Sequence, residues 1–159
     1  MLKSSYLLGG IMSDRDALKD EYIEHMIHPK NYGSIENYDA KGIGQNPYNN
    51  ELVEIFLKIS DNQTINDIKF QAIGCMSTIV VGSIFTDMVK GESLDEALDV
   101  AEEFLKKVQD APKEDRACAE MVAKAFMAAK KNYHNRVSGE REDEYIMLIS
   151  SDCVVEDEK

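Results

Sequence analysis

The chain has 159 residues, 43% of them hydrophobic, which is enough for one domain with a real core. With 30 acidic residues against 18 basic ones its net charge is −12, so a nucleic-acid backbone or an anionic membrane surface is repelled rather than attracted. The three cysteines, Cys75, Cys118 and Cys153, form no closely spaced pair; their odd number argues against a secreted disulfide framework and for free thiols or metal ligands in a reducing cytoplasm.

Residues 1–13 carry a short apolar patch but no sustained hydrophobic run and no small-residue cleavage site, so they read as a loose N-terminal segment and not as a signal peptide. No run approaches the roughly 20 apolar residues that a membrane span needs. Ser13 and Asp16 resemble a capping box, and Leu18, Tyr22 and Met26 recur at helical spacing, which predicts a helix from about Asp14 to His28 stopped by Pro29. His25 and His28 fall on one helical face. Two such histidines could share a metal, but a helix C-terminus also favours plain surface or capping histidines, and that reading is preferred.

Residues 37–44 read as a polar connection, and Gln45 to Asn50 as a turn rich in asparagine and proline. The period then changes. Val53, Ile55, Leu57 and Ile59 alternate with polar residues, Phe56 excepted, and Ile68, Phe70 and Ala72 alternate with Asp67, Lys69 and Gln71. These two runs predict an antiparallel hairpin. From Thr78 to Val89 the chain is apolar almost all round, which predicts a buried helix ended by Gly91, with Gly82 and Ser83 marking close approach of another element. Ser93 and Glu96 form a capping box that opens a helix through Leu98, Ala101, Leu105 and Val108. A last helix is predicted from about Ala117 to Asn132, with Met121 and Phe126 in the core. Residues 136–159 read as an acidic C-terminal tail, interrupted by the apolar island 145–149, which either docks as an edge strand, binds a partner or stays disordered.

The chemistry centres on Cys75, placed where a strand ends in glycine and a helix begins. Backbone N–H groups and the positive end of the helix dipole favour its thiolate, the form that attacks electrophiles and binds metals. Cys118 is predicted in the same setting at the start of the last helix. Side by side, the two would make a two-thiolate site, and sulfur ligands select iron–sulfur species, zinc or copper(I) over magnesium or calcium. There is no nucleophile elbow, no Gly-rich phosphate loop and no Ser-His-acid pattern.

Four short stretches carry a resemblance. Glu24-His25-Met26-Ile27-His28-Pro29-Lys30-Asn31-Tyr32-Gly33, Asn46-Pro47-Tyr48-Asn49-Asn50-Glu51, Gly74-Cys75-Met76-Ser77 and Ala117-Cys118-Ala119 stand in the order and at the separations of the signatures of the NifU/IscU-like iron–sulfur cluster assembly scaffold family, without an insertion. The resemblance spans about Tyr22 to Tyr133. It implies an α+β fold in which a small antiparallel β-sheet of about three strands packs against N-terminal and C-terminal helices, in a scaffold domain over residues 14–135. It also shows departures. Asn49 stands at the family's first cysteine, Asn50 at its glycine, Glu51 at its aspartate and Ala117 at a histidine found in many members.

What the resemblance implies for function is a non-enzymatic scaffold or carrier. It would take sulfur from a cysteine desulfurase, combine it with iron, and deliver clusters to apo-proteins. The implied metal ligands are Cys75, Cys118 and Glu51, with Asn49 a poor fourth because an amide oxygen is a hard donor. The implied cargo is a transient cluster, [2Fe–2S] in the simplest case, with zinc or iron as the alternative occupant. Two thiolates from each of two chains would complete a four-thiolate set, which makes a homodimer one expectation. Two other readings remain open: a sulfur relay with persulfide on Cys118 or Cys75, and a degenerate member that regulates the assembly machinery through protein contacts.

Overall fold

The computed structural model describes residues 15–149, with side chains from residue 21 onward except residue 114. Helix α1 (Arg15–Ile27) precedes strands β1 (Ala40–Gln45), β2 (Leu52–Ile59) and β3 (Ile65–Ile73). Helices α2 (Met76–Val89), α3 (Leu94–Lys107) and α4 (Lys113–Val137) follow, and β4 (Tyr145–Leu148) closes the chain. The Ser13 cap, the N-terminal segment, Cys153 and the acidic end lie outside the described residues.

The sheet runs β3-β2-β1-β4. The predicted hairpin is β2 and β3, paired antiparallel with Ile55 opposite Phe70. The polar connection before it contains β1, antiparallel to β2, and the apolar island 145–149 supplies β4, parallel to β1. Three antiparallel strands are therefore joined by a fourth, parallel one. It is tied down by Lys41, whose ammonium bridges Glu144 at 3.0 Å and Glu54 at 3.6 Å, by Asn132 donating to the Glu142 carboxylate, and by the Ile149 N–H donating to the Gln45 carbonyl.

Register explains the burial. Across the three antiparallel strands the rows Ala40–Leu57–Ile68 and Gly42–Ile55–Phe70 share one face, as period-two alternation requires, and every one of these residues is buried. Phe56, the break in the alternation, lies on the opposite face. Tyr38 covers it edge-on with ring centroids 5.7 Å apart, and the Lys41 ammonium sits 5.2 Å above its ring.

Helix α4 lies along β1 at backbone contact. A Cβ on Gly42 would come 2.0 Å from the Ala129 nitrogen, and one on Gly44 would come 2.1 Å from the Met121 carbonyl oxygen. Ala125, Ala128 and Ala129 are fully buried along the helix. Small residues on both partners allow this approach, and they fix where α4, with Cys118 on it, sits relative to the sheet.

Helix α1 runs alongside α2. The expectation that His25 is a surface or capping histidine is corrected: it is only 2% exposed, and its Nδ1 lies 2.6 Å from the Ser83 hydroxyl. Ser83 Oγ also accepts from the Lys30 N–H, so one hydroxyl ties both the helix and the turn after Pro29 to α2. Burial, helped by the Lys30 charge, pushes the His25 pKa down. The close approach expected at Gly82 and Ser83 is present, with the Phe70 ring packed on Gly82. The capping box of Ser93 and Glu96 is formed as well.

Candidate functional site

Cys75 is the N-cap of α2, in extended backbone just after β3. Its position follows from the sequence, because a strand ending in Ile73-Gly74 must turn sharply to feed the helix. Cys118 is placed differently from expectation. Helix α4 starts at Lys113 behind the Pro112 cap, so Cys118 sits in the second turn and not at a helix N-terminus. The two thiols nevertheless meet, with Sγ atoms 3.7 Å apart.

Their environments are unequal. Cys75 is exposed and Cys118 is 3% exposed. For Cys75, partial burial opposes ionisation, but the Thr78 hydroxyl and backbone, the Cys118 thiol and the Ser77 backbone together outweigh it and hold the pKa below the usual thiol value of 9.0. For Cys118, burial dominates; the Thr78 hydroxyl works against it, while neighbouring Cys75 and Glu51 add to it, and the pKa is pushed up to about 12. The expectation that the helix dipole favours a Cys118 thiolate is therefore corrected, since desolvation penalises a buried charge and the dipole acts only within the first turn. At neutral pH Cys118 therefore keeps its proton, and Cys75 is the thiol of the pair that ionises more readily.

Thr78 is the functional residue that sequence reading passed over. Fully buried, its hydroxyl donates to Cys118 Sγ at 3.1 Å and lies 3.7 Å from Cys75 Sγ. The signal was its spacing: a residue three beyond an N-cap projects back over the cap.

The loop between β1 and β2 holds the remaining predicted residues. Asn46, buried, accepts from the Tyr48 N–H, and its backbone pairs with Glu51 and Asn50 to close the turn. Asn50 has φ +65, the left-handed conformation that glycine takes freely and asparagine tolerates best among the rest. Asparagine thus keeps the backbone that the resembled glycine would give. Asn49 turns its amide oxygen onto the Glu51 N–H at 3.0 Å, within its own loop. The Glu51 carboxylate lies over Gly74, 3.4 Å from where a Cβ would stand, beside Cys75. Among the described residues no group of three or more histidine, cysteine, aspartate or glutamate side chains converges as a metal-binding cluster. What converges is the thiol pair with Thr78, flanked by one carboxylate.

Exposed Tyr48, Ile73 and Met76 lie in the segments around Cys75. Next to the pair an apolar cleft of about 250 Å³ opens between α1, α2, α3 and α4, with Ser77 and Ala119, the neighbours of the two thiol regions, on its wall.

The family model described as the NifU-like N terminal domain matches residues 17–140. The chain belongs to that family. A scaffold protein for iron–sulfur cluster assembly, IscU 1 of Archaeoglobus fulgidus, is 34% identical over 118 residues, 74% of this chain and 76% of the relative. The IscU scaffold protein of Escherichia coli K12 is 31% identical over 128 residues, 76% of this chain and 96% of that one. Among solved structures, a candidate iron–sulfur cluster assembly scaffold protein for the SUF system from Fervidobacterium islandicum AW-1 superimposes with a TM-score of 0.57 at 19% identity, over 68% of this chain and 92% of that one. That likeness supports the fold, mixed α+β of the NifU/IscU kind. The named relatives are described as scaffold proteins. No helix among the described residues is long and apolar enough to cross a membrane.

Proposed function

We propose that this NifU-like chain is a scaffold or carrier for iron–sulfur cluster assembly, a non-enzymatic protein of the cytoplasm that takes sulfur from a cysteine desulfurase together with iron and passes clusters to apo-proteins. The observation that carries the reading is the thiol pair, Cys75 and Cys118 at 3.7 Å, on a domain whose relatives are named for that work. The cluster is cargo. Among the described residues each chain brings two thiols together, so a cluster held by four would take Cys75 and Cys118 from two copies, with a [2Fe–2S] cluster the smallest that fits. Glu51 flanks the pair without converging on it, so it would have to turn its carboxylate toward the thiols to serve as an oxygen ligand to zinc or iron. The exposed apolar residues about Cys75 suit transient docking of the proteins on either side of a transfer.

Anaerobic addition of ferrous iron and sulfide to the reduced protein is expected to give visible charge-transfer absorption, abolished in Cys75→Ser and in Cys118→Ser. A colourless, iron-free wild type would overturn the proposal. Restoring the missing thiol should strengthen the site: in Asn49→Cys, cluster retention after gel filtration is expected to rise severalfold, because a thiolate replaces an amide oxygen. Unchanged retention would mean that the β1–β2 loop stays out of the ligand set.

A further inference from the structure

We infer that Cys118 is a resolving thiol, which converts a persulfide formed on Cys75 into free sulfide and a Cys75–Cys118 disulfide. The inference rests on the sulfur-accepting half of the proposed function and adds the way in which the sulfur is reduced.

Access divides the labour. An incoming persulfide reaches Cys75, which is exposed at the N-cap of α2, whereas Cys118 is 3% exposed and lies behind it. Once Cys75 carries the extra sulfur, the nearest nucleophile to its Sγ is already in place. Cys118 Sγ stands 3.7 Å away, so the disulfide needs a closure of roughly 1.7 Å to reach bonding distance. Thr78 donates its hydroxyl to Cys118 Sγ and fixes that sulfur in facing position. Among the described residues these two are the free cysteines; Cys153 lies outside them and is removed in the test below.

The steps balance. The Cys75 thiolate attacks the outer sulfur of a donor persulfide, a new S–S bond forms on Cys75, and the donor leaves as its thiolate. Cys118 then attacks Cys75 Sγ. The bond from Cys75 to the outer sulfur breaks, the Sγ–Sγ bond forms, and the outer sulfur departs as hydrosulfide with the proton that Cys118 gives up. Over both steps two thiols lose two electrons and one sulfur atom is reduced to sulfide, the oxidation level that cluster assembly consumes. A dithiol reductant then takes up the disulfide and returns the pair to its starting state. Thiol–disulfide exchange of this kind runs through the attacking thiolate, so Cys118 reacts as its proton passes to the departing outer sulfur; alignment at 3.7 Å and a good leaving group, hydrosulfide, favour the step.

The test uses the full chain with Cys153→Ser, reduced, freed of reductant and kept anaerobic. One equivalent of cysteine persulfide is added, released sulfide is assayed, and intact mass is recorded. The expected result is close to one sulfide per chain, a protein lighter by two hydrogens, and full recovery of the starting mass on adding a dithiol. Cys118→Ser should instead keep one extra sulfur on Cys75 and release sulfide at least tenfold more slowly, with Cys118→Ala as the second variant. Cys75→Ser should take up none. Wild-type protein that accumulates a stable persulfide without a disulfide overturns the inference from its mass alone, whatever the variants do, as does Cys118→Ser releasing sulfide at the wild-type rate. Reconstitution with ready-made sulfide bypasses these steps, so the scaffold reading stands or falls separately.

Discussion

Gly42→Val is expected to be the most destabilising single substitution among the glycines that line the sheet. The added side chain begins with a Cβ 2.0 Å from the Ala129 nitrogen and 2.3 Å from the Ala125 carbonyl oxygen, and both are backbone atoms inside a 25-residue helix. A side chain in the way can change rotamer. A helix backbone can only move as a body, which would strip contacts along β1. Overpacking a core costs about 1–3 kcal/mol where side chains can yield, so a backbone clash should cost upwards of about 3 kcal/mol, a large part of the roughly 5–15 kcal/mol that holds a domain together. In urea the midpoint should fall by roughly 1–3 M. Gly44→Ala meets the Met121 carbonyl oxygen at 2.1 Å, one turn from Cys118, and should both destabilise the fold and spread the thiol pair. Gly74→Ala is the control: its new Cβ meets the end of the Glu51 side chain at 3.4 Å, and its midpoint should change little. A Gly42→Val protein with the wild-type midpoint would mean that α4 does not lie on β1 as described.

The same two glycines show why part of the fold could not be read from the sequence. Lys41-Gly42-Ile43-Gly44 has the local character of a connection, because its two glycines outweigh the strand preference of Ile43. It is a strand because α4, some eighty residues later, brings an alanine-rich face whose backbone needs those Cβ positions empty. The cause is tertiary, whereas the hairpin of β2 and β3 was legible because its alternation is written in the strands themselves. Phe56 looked like an error in that alternation until Tyr38 and Lys41 arrived to cover it from a distant loop and a neighbouring strand. For the site, the pairing of Cys75 and Cys118 was implied by the family resemblance, but their electrostatics were not legible. Placing the last helix start at Ala117 instead of Lys113 turned a buried thiol into a dipole-stabilised one, and a boundary shift of one turn reversed the predicted sign. Asn50 adds a milder case: it departs from glycine in chemistry and keeps glycine's backbone.

That reversal has the second large consequence, a difference of about 100-fold or more in the alkylation rates of the two thiols at pH 8. With a pKa pushed up to about 12, Cys118 is thiolate in only about one molecule in 10⁴ at that pH, whereas Cys75, held below 9.0, is thiolate in at least about one in ten; only the thiolate reacts. The more basic sulfur is the better nucleophile once ionised, with a Brønsted slope of about 0.4–0.5, so roughly one to one and a half of those three decades are returned to Cys118. Burial, which leaves it 3% exposed, takes them away again. Iodoacetamide on the Cys153→Ser protein, followed by peptide mass mapping, should therefore label Cys75 alone until it is nearly complete. The pH dependence carries the sign. A depressed pKa makes the Cys75 rate rise with pH and level off above a midpoint lower than 9.0, while the Cys118 rate, far below its own pKa, climbs about tenfold per unit through pH 10. Thr78→Val removes the hydroxyl that favours the Cys75 thiolate, so its plateau should move to higher pH. Equal labelling of the two thiols, or Cys118 labelled first, would contradict the buried proton that Cys118 is said to keep, and with it the assignment of Cys75 as the sulfur that meets an incoming partner.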